Sequence, residues 1–453
     1  MKLNVGLPPN KVGWIYFAAH AVSLSFGESG LGYLLIIIFT LYAWYRSFLG
    51  DFFPLVLVLI LGSYHSAFDN IYTSAIVGIK LIYPSILLLI VNGLIRIRLC
   101  EKYKSLVYLF ATLFFAHTVL GFFFKYSLEW YLNECFSFAV FFSLIIAVLG
   151  NRDYFVPLLL ETISNYVLYF YPILVLIAVL TASNEVLLFD EFEKFYFLAL
   201  IPLILNKIPN RVLLATLNIT VIIIKAKYTY FSSLNIILMS TIIVMIFLLS
   251  KLSILRKVLL ILILLIASAV FYNYSNDFTK FKIRQSQIAI KEVLAGDVSA
   301  IPKSPRVRVI EFMLSFKNLR DQGNLFIFTG KGYGSYIDDT KDGYLDKYGV
   351  TLNEHDYSLE EIKIRKFKKA HGGVPYVPIK MGIIGMLLFV YFGISAFQLS
   401  LKKRFLWFGL AAPFYIITTF SYGLKNFIFV AFAVGIALSF KSLKKNETKT
   451  LSY

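Results

Sequence analysis

Ala370-His371-Gly372-Gly373-Val374-Pro375 closes the one long polar interval of this chain, which opens at Asn273 and runs through Lys369. One apolar run, Leu259 to Tyr272, leads into that interval, and another, Val374 to Phe397, leaves it. Almost everything else in the sequence is apolar enough to sit in lipid. Only 273–373 carries enough charge and glycine over a long stretch to build a water-exposed structure. With a spanning helix on either side, both of its ends emerge on the same face of a membrane.

Composition agrees with that reading. Hydrophobic residues make up 58% of the chain, charged residues only 15%, and the mean hydropathy is +0.74. Such values belong to a polytopic membrane protein and exclude a soluble domain of this length. The net charge of +18 is carried mostly in short loops and beside span ends, so it speaks for membrane topology and against nucleic-acid binding. The two cysteines, Cys100 and Cys135, fall near opposite faces and are not expected to pair. Val12 to Ala19 is a short apolar run broken by His20, read as a retained first helix and not a cleaved signal.

Hydropathy marks spans near 12–27, 31–49, 52–65, 71–95, 104–124, 132–150, 159–182, 194–206, 210–224, 230–249, 255–272, 374–399, 404–420 and 424–440. The third, eighth and ninth are short enough to be tilted, re-entrant or merged. The runs are too long and too evenly apolar for barrel strands. The expected fold is therefore an all-α polytopic membrane protein with about 12 to 14 transmembrane helices. Its expected parts are an N-terminal bundle (1–272), a large, partly helical external loop (273–373), C-terminal helices (374–441) and a cytoplasmic tail (442–453). Basic clusters at Arg46, Arg96/Arg98/Lys102/Lys104, Arg152, Lys207/Arg211, Lys251/Arg256/Lys257, Lys402/Lys403/Arg404 and Lys441/Lys444/Lys445 fall mostly on one side, which is assigned to the cytoplasm. Both termini then lie in the cytoplasm and the long loop lies outside.

Within the loop, Phe278 to Leu294 and Arg306 to Leu319 each read as an amphipathic helix, the second with Val307, Ile310, Leu314 and, less regularly, Phe316 on its apolar face. The glycine-rich Gly330-Lys331-Gly332-Tyr333-Gly334-Ser335 fits neither a Walker loop nor a dinucleotide fingerprint. Gly330, Gly332 and Gly334 mark either a tight turn or a close backbone approach to a ligand or to the membrane-facing core. The remainder, to Lys369, is highly charged and is expected to be irregular.

Several residues are candidates for chemistry. His371 stands directly before the following span, where a neutral imidazole can take a proton from a hydroxyl. Arg306 and Arg308 open the second loop helix and are candidates for clamping phosphate. Lys225 and Lys227 place two cations in a short external loop, against the usual charge bias. Lys80 falls inside the fourth span, where a charge is costly and marks a site by default. His20, His65 and His117 fall in or near spans and read as packing residues, and His355 has no motif around it.

Taken in order, Lys225-Ala226-Lys227, Ser304-Pro305-Arg306 opening a helix, Thr329-Gly330-Lys331-Gly332-Tyr333-Gly334-Ser335, His371, and Met381-Gly382-Ile383-Ile384-Gly385 resemble the O-antigen ligase and O-antigen polymerase superfamily. These are multi-pass membrane glycosyltransferases with one long periplasmic loop. The motif-bearing part runs from about 220 to 395, and the layout covers the whole chain. Lys227 stands where the family usually has an arginine, Ala226 where it has a serine, and Gly372 where it has an asparagine. Those departures suit the polymerase branch better than the ligase branch.

The resemblance implies a polymerase of undecaprenyl-diphosphate-linked oligosaccharide repeats, in an O-antigen or capsule pathway, working on the periplasmic side of a bacterial inner membrane. The lipid-linked oligosaccharide would serve as donor and acceptor, with a chain-length regulator as an expected partner. His371 would orient or deprotonate the acceptor hydroxyl. Arg306, Arg308, Lys227 and Lys225 would hold the diphosphate, with Lys80 as a further candidate. No cofactor and no metal are expected. The alternatives are a ligase that transfers lipid-linked glycan to lipid A-core, and a flippase that moves it without making bonds. The large single loop and the lack of an internal repeat favour an enzyme over a transporter.

Overall fold

The structure is a computed structural model that describes residues 30–61, 75–76, 79–97, 103–150, 253–400 except 342, 353, 355, 356 and 369, and 424–442, with isolated positions elsewhere. The spans expected at 12–27, 159–182, 194–206, 210–224, 230–249 and 404–420 lie wholly or almost wholly outside the described residues.

Among the described residues the chain is almost wholly helical. The bundle contributes α1 (Gly30–Phe48), α2 (Phe53–Leu61), α3 (Ile82–Ile97), α4 (Lys104–Phe123), α5 (Leu128–Gly150) and α6 (Ile254–Tyr274). The polar interval contributes α7 (Asp277–Ala295), α8 (Lys303–Gln322), α9 (Asn324–Thr329), α10 (Tyr344–Lys347) and α11 (Leu359–Ile364). It is followed by α12 (Gly373–Ser400) and α13 (Leu424–Ser442). Among the described residues three helices are long and apolar enough to cross a membrane: Lys104–Phe123, Leu128–Gly150 and, in α12, Gly373–Leu399. Helix α5 is the centre, packed between α3 and α13, while α12 bridges α13 to α8 and α9. Its core is a run of phenylalanine rings, with Phe420 and Phe427 centred 4.2 Å apart and Phe389 and Phe420 4.7 Å apart.

Helix α2 is described over Phe53–Leu61, within the span expected at 52–65, and Phe52 through Leu59 are all buried. One span departs from the hydropathy reading. The run at 71–95 is not one helix. A small antiparallel pairing of β1 (Ala75–Ile76) with β2 (Ile79–Lys80) precedes α3, whose first turn carries Pro84. Proline is tolerated there because that N–H has no intrahelical partner anyway. Lys80 therefore sits on a strand at the mouth of the span and not within a spanning helix.

The polar interval folds back onto the bundle. Its buried residues Val307, Ile310, Leu314, Ile337, Leu345, Tyr357 and Phe367 belong to the same hydrophobic cluster as the spanning helices. Helix α8 starts at Lys303, three residues before the expected Arg306, with Pro305 in its first turn. Val307, Ile310 and Leu314 are buried as expected, but Phe316 is not; it stacks edge-on to Phe312 at 5.0 Å, and Leu319 takes the core position. The charged remainder is not irregular. Strands β3 (Ile337–Asp338) and β4 (Lys366–Phe367) pair antiparallel, and α10 and α11 are short helices. Ser358 and Glu361 form a reciprocal capping box at the start of α11. Asp339 accepts from Arg365 Nη2 at 2.7 Å and from the Tyr344 N–H at 2.6 Å, which fastens the β3–β4 pairing to α10.

Candidate functional site

Helix α8 presents a buried polar stripe at Glu311, Ser315 and Asn318, spaced three and four residues apart so that one face carries all three. Each member grips a different piece of chain. Asn318 donates to the Asp338 carbonyl at 2.9 Å and accepts from the Asp338 N–H at 2.5 Å, fixing β3. Ser315 Oγ donates to the Pro375 carbonyl at 2.9 Å, fixing the first turn of α12. Glu311 holds His371.

The Glu311 carboxylate is fully buried and accepts three hydrogen bonds of 2.8 Å: from the backbone N–H of His371, from His371 Nδ1, and from the Tyr357 hydroxyl. The Tyr357 ring meets the imidazole edge-on, 5.0 Å between centroids, and packs on Phe367 at 4.4 Å. The Nδ1–carboxylate contact selects the tautomer with its proton on Nδ1, which leaves the Nε2 lone pair as the basic site. His371 is 8% exposed, next to the N-terminus of α12. A histidine oriented by a buried carboxylate is the arrangement a general base needs. Sequence reading found His371 but missed Glu311 and Tyr357.

The two arginines do not share one face of α8. Residues two apart on a helix point to different faces. Arg306 spends Nε on the Ile301 carbonyl and Nη1 on the Tyr348 carbonyl, both at 2.6 Å. It ties the start of α8 to the end of α10. Arg308 donates from Nη1 to Ser304 O at 3.0 Å and Oγ at 3.2 Å, and among the described residues its buried Nε has no acceptor. Arg308 lies three residues before Glu311, on the side of α8 nearer His371. Lys225 and Lys227 lie outside the described residues, and Lys80 belongs to the β1–β2 pairing.

The glycine loop is a wedge. It enters between α4, α5 and α12, with the Lys331 N–H donating to Ile379 O at 3.0 Å, the Gly332 N–H to Lys380 O at 2.9 Å and the Tyr333 N–H to His117 O at 3.1 Å. The Ile379 and Lys380 carbonyls are available because α12 is broken at Gly382, which has φ +60°. Gly332 has φ +82°, and a Cβ there would lie 2.3 Å from the Gly121 nitrogen and 2.6 Å from the His117 oxygen. Only glycine satisfies both demands. Tyr333 follows, fully buried and stacked on Phe138 at 4.5 Å. So the close approach at Gly330 to Gly334 is to the helices themselves.

A buried ion pair locks the wedge. Lys380 Nζ lies 2.5 Å from Glu134 Oε1 and also donates to the Ser335 carbonyl. Glu134 in turn accepts from the Gly334 N–H at 2.6 Å and from the Tyr376 hydroxyl at 3.0 Å. His117 sets its Nδ1 2.6 Å from Leu113 O and its Nε2 3.0 Å from Thr329 O, joining α4 to the end of α9. Among the described residues no group of three or more His, Cys, Asp or Glu could hold a metal ion.

Compared with known proteins, the chain matches no family model, no curated sequence and no solved structure.

Proposed function

We propose that this chain is a membrane glycosyltransferase that joins undecaprenyl-diphosphate-linked oligosaccharide repeats on the periplasmic side of a bacterial inner membrane. The observation that carries the reading is the Glu311 carboxylate set on His371 Nδ1 at 2.8 Å, at the junction of a polar interval with an apolar helix. A carboxylate in that position raises the basicity of Nε2 and stabilises the imidazolium that forms when Nε2 takes a proton.

In the proposed step an acceptor sugar hydroxyl gives its proton to His371 Nε2 as its oxygen attacks the anomeric carbon of the donor. The bond from that carbon to the diphosphate oxygen breaks, and the diphosphate leaves with the electron pair. Direct displacement inverts the anomeric centre. Negative charge grows on the departing diphosphate, and cations placed there stabilise the transition state more than the ground state. Arg308, with an unspent buried donor, fits that role better than Arg306, whose Nε and Nη1 hold backbone carbonyls. Lys225 and Lys227 remain candidates on the sequence resemblance.

The test is a surface-polysaccharide gel from a deletion strain complemented with wild type or His371→Ala, with membrane expression matched. Core carrying a single repeat is the expected phenotype of the variant. Core with no repeat would instead favour the ligase or flippase reading, and a normal ladder would remove His371 from the chemistry.

A further inference from the structure

Lys331 has a largely buried side chain whose ammonium keeps some access to the surface and is used by no other group among the described residues. It lies in the glycine wedge, 7% exposed, and among the described residues its ammonium has neither a hydrogen-bond acceptor nor an ion-pair partner. The contrast with Lys380 is direct, since that fully buried lysine is paired with Glu134. The charged groups facing Lys331 are Asp338 and Asp321, which attract it, and Lys380 and Lys341, which repel it. Both carboxylates are already engaged. Asp321 is paired with Lys317 at 2.8 Å, and Asp338 Oδ1 accepts from the Thr340 N–H and hydroxyl at 3.0 and 2.6 Å. Burial accordingly pulls the Lys331 ammonium down to about 8.

The backbone around it is held on both sides. Its N–H is bonded to Ile379 O, its carbonyl faces the Tyr126 hydroxyl at 3.5 Å, and Gly330 and Gly332 pack against main chain on either side. The location is the end of the spanning helices α4 and α5. Phe122 and Phe123 are largely exposed there, and Tyr126, Trp130 and Tyr336 cluster edge-to-face at 5.5 and 6.0 Å. Aromatic rings with polar tips at helix ends mark headgroup depth. An unpaired ammonium at that depth lacks an oxyanion, and the oxyanion that membrane lipids present there is phosphate.

We infer that Lys331 is the anchoring cation of a subsite for the phosphate of a membrane lipid, seated where the glycine loop enters the helix bundle. The subsite is distinct from His371: the two attach to α12 eight residues apart, roughly 12 Å along a helix. It does not depend on the transfer reaction proposed for His371. Two sources share the chemistry, an ordinary anionic phospholipid and a polyprenyl phosphate.

The experiment uses the full chain in detergent, titrated with phosphatidylglycerol or with undecaprenyl phosphate and read by native mass spectrometry. Wild type, Lys331→Met, Lys331→Arg and the exposed-site control Lys291→Met are compared, with lipid-free thermal unfolding measured on each. Wild type and Lys291→Met should retain one lipid. Lys331→Met should bind about tenfold more weakly, and Lys331→Arg should bind nearly as well as wild type. Lipid-free Lys331→Met should unfold no lower than wild type, because it loses an uncompensated charge. Dependence on Lys331 with both lipids assigns the subsite to phospholipid headgroups, and dependence with undecaprenyl phosphate alone assigns it to a lipid carrier. Equal binding of both lipids by wild type and Lys331→Met overturns the inference. So does a lower unfolding temperature for lipid-free Lys331→Met, which would show the lysine to be structural.

Discussion

Replacing Glu311 by glutamine separates a catalytic histidine from a merely buried one. The carboxylate has no exposure and accepts three hydrogen bonds at 2.8 Å, two of them from His371. Glutamine keeps the shape, but its carbonyl oxygen replaces two acceptor oxygens and its NH₂ confronts a donor. Hydrogen bonds to a charged group contribute about 1.5–3 kcal/mol each, and removing one partner of a buried charged pair costs about 3–5 kcal/mol. A stability loss of about 3 kcal/mol is therefore expected for Glu311→Gln, and more for Glu311→Ala, which also leaves a cavity.

Activity should fall further than stability accounts for. Neutralising the carboxylate behind a catalytic histidine lowers turnover by about 10⁴ where this has been measured, because the wrong tautomer is favoured and the imidazolium loses its counter-charge. At least a thousandfold loss is expected here. The assay is sugar transfer by purified protein in lipid nanodiscs, normalised to the folded fraction from thermal unfolding. His371→Ala and the double variant Glu311→Gln/His371→Ala complete a cycle. Residues acting as one unit are non-additive, so the double variant should be no slower than His371→Ala alone. Normal specific activity in Glu311→Gln, with only the unfolding temperature lowered, would refute the base assignment and leave the pair as a structural brace.

Arg306→Lys should lower stability by about 1–3 kcal/mol, since lysine cannot reach the Ile301 and Tyr348 carbonyls together. Arg308→Lys should leave unfolding unchanged and reduce turnover; the reverse pattern in the two variants would exchange their roles. Gly332→Ala should abolish folded protein on size exclusion, because the added Cβ meets main chain at 2.3 Å; a monodisperse, active Gly332→Ala would refute the wedge geometry. Glu134→Gln and Lys380→Met should each destabilise by about 3–5 kcal/mol, while the double neutral variant recovers much of the loss, as buried pairs do. The Lys331 ammonium sits at about 8, below its ordinary 10.5, so the folded state binds fewer protons than the unfolded between those values. Stability should then rise with pH across about 8 to 10.5, and the advantage of Lys331→Met over wild type should be full at pH 7 and gone near pH 10.5. A pH-independent difference in melting temperature would contradict it.

The parts of the molecule legible in the sequence are those where one physical rule dominates. Apolar runs longer than a bilayer gave α4, α5 and α12 to within a few residues, because nothing competes with hydropathy inside a span. The run at 71–95 shows where that rule is incomplete. Hydropathy is blind to backbone direction, and the pairing of Ala75–Ile76 with Ile79–Lys80, then a helix start with Pro84 in its first turn, lie in a stretch of uniform apolarity. In the loop, period 3.6 located α8 but misjudged its inner face, since a binary pattern assigns every polar position to water.

Glu311, Ser315 and Asn318 are polar and buried, so they read as the outside of an amphipathic helix. Their partners are backbone groups of residues 20 to 60 positions away, apart from the His371 imidazole and the Tyr357 hydroxyl, and no local pattern encodes them. Yet one signal was available. A polar stripe with the spacing of a core face, on a helix whose apolar stripe is interrupted by Glu311, is costly unless each member has a partner. Each does, and the partners are the ends of the segments that must converge for His371 to stand at the head of α12. The same reasoning reads Lys331 in the opposite sense. It is largely buried on a backbone fixed by glycines, and among the described residues its ammonium has no acceptor. Where folding has satisfied Glu311 and Lys380 so fully, the buried lysine left unpaired among the described residues is where we place a ligand's charge.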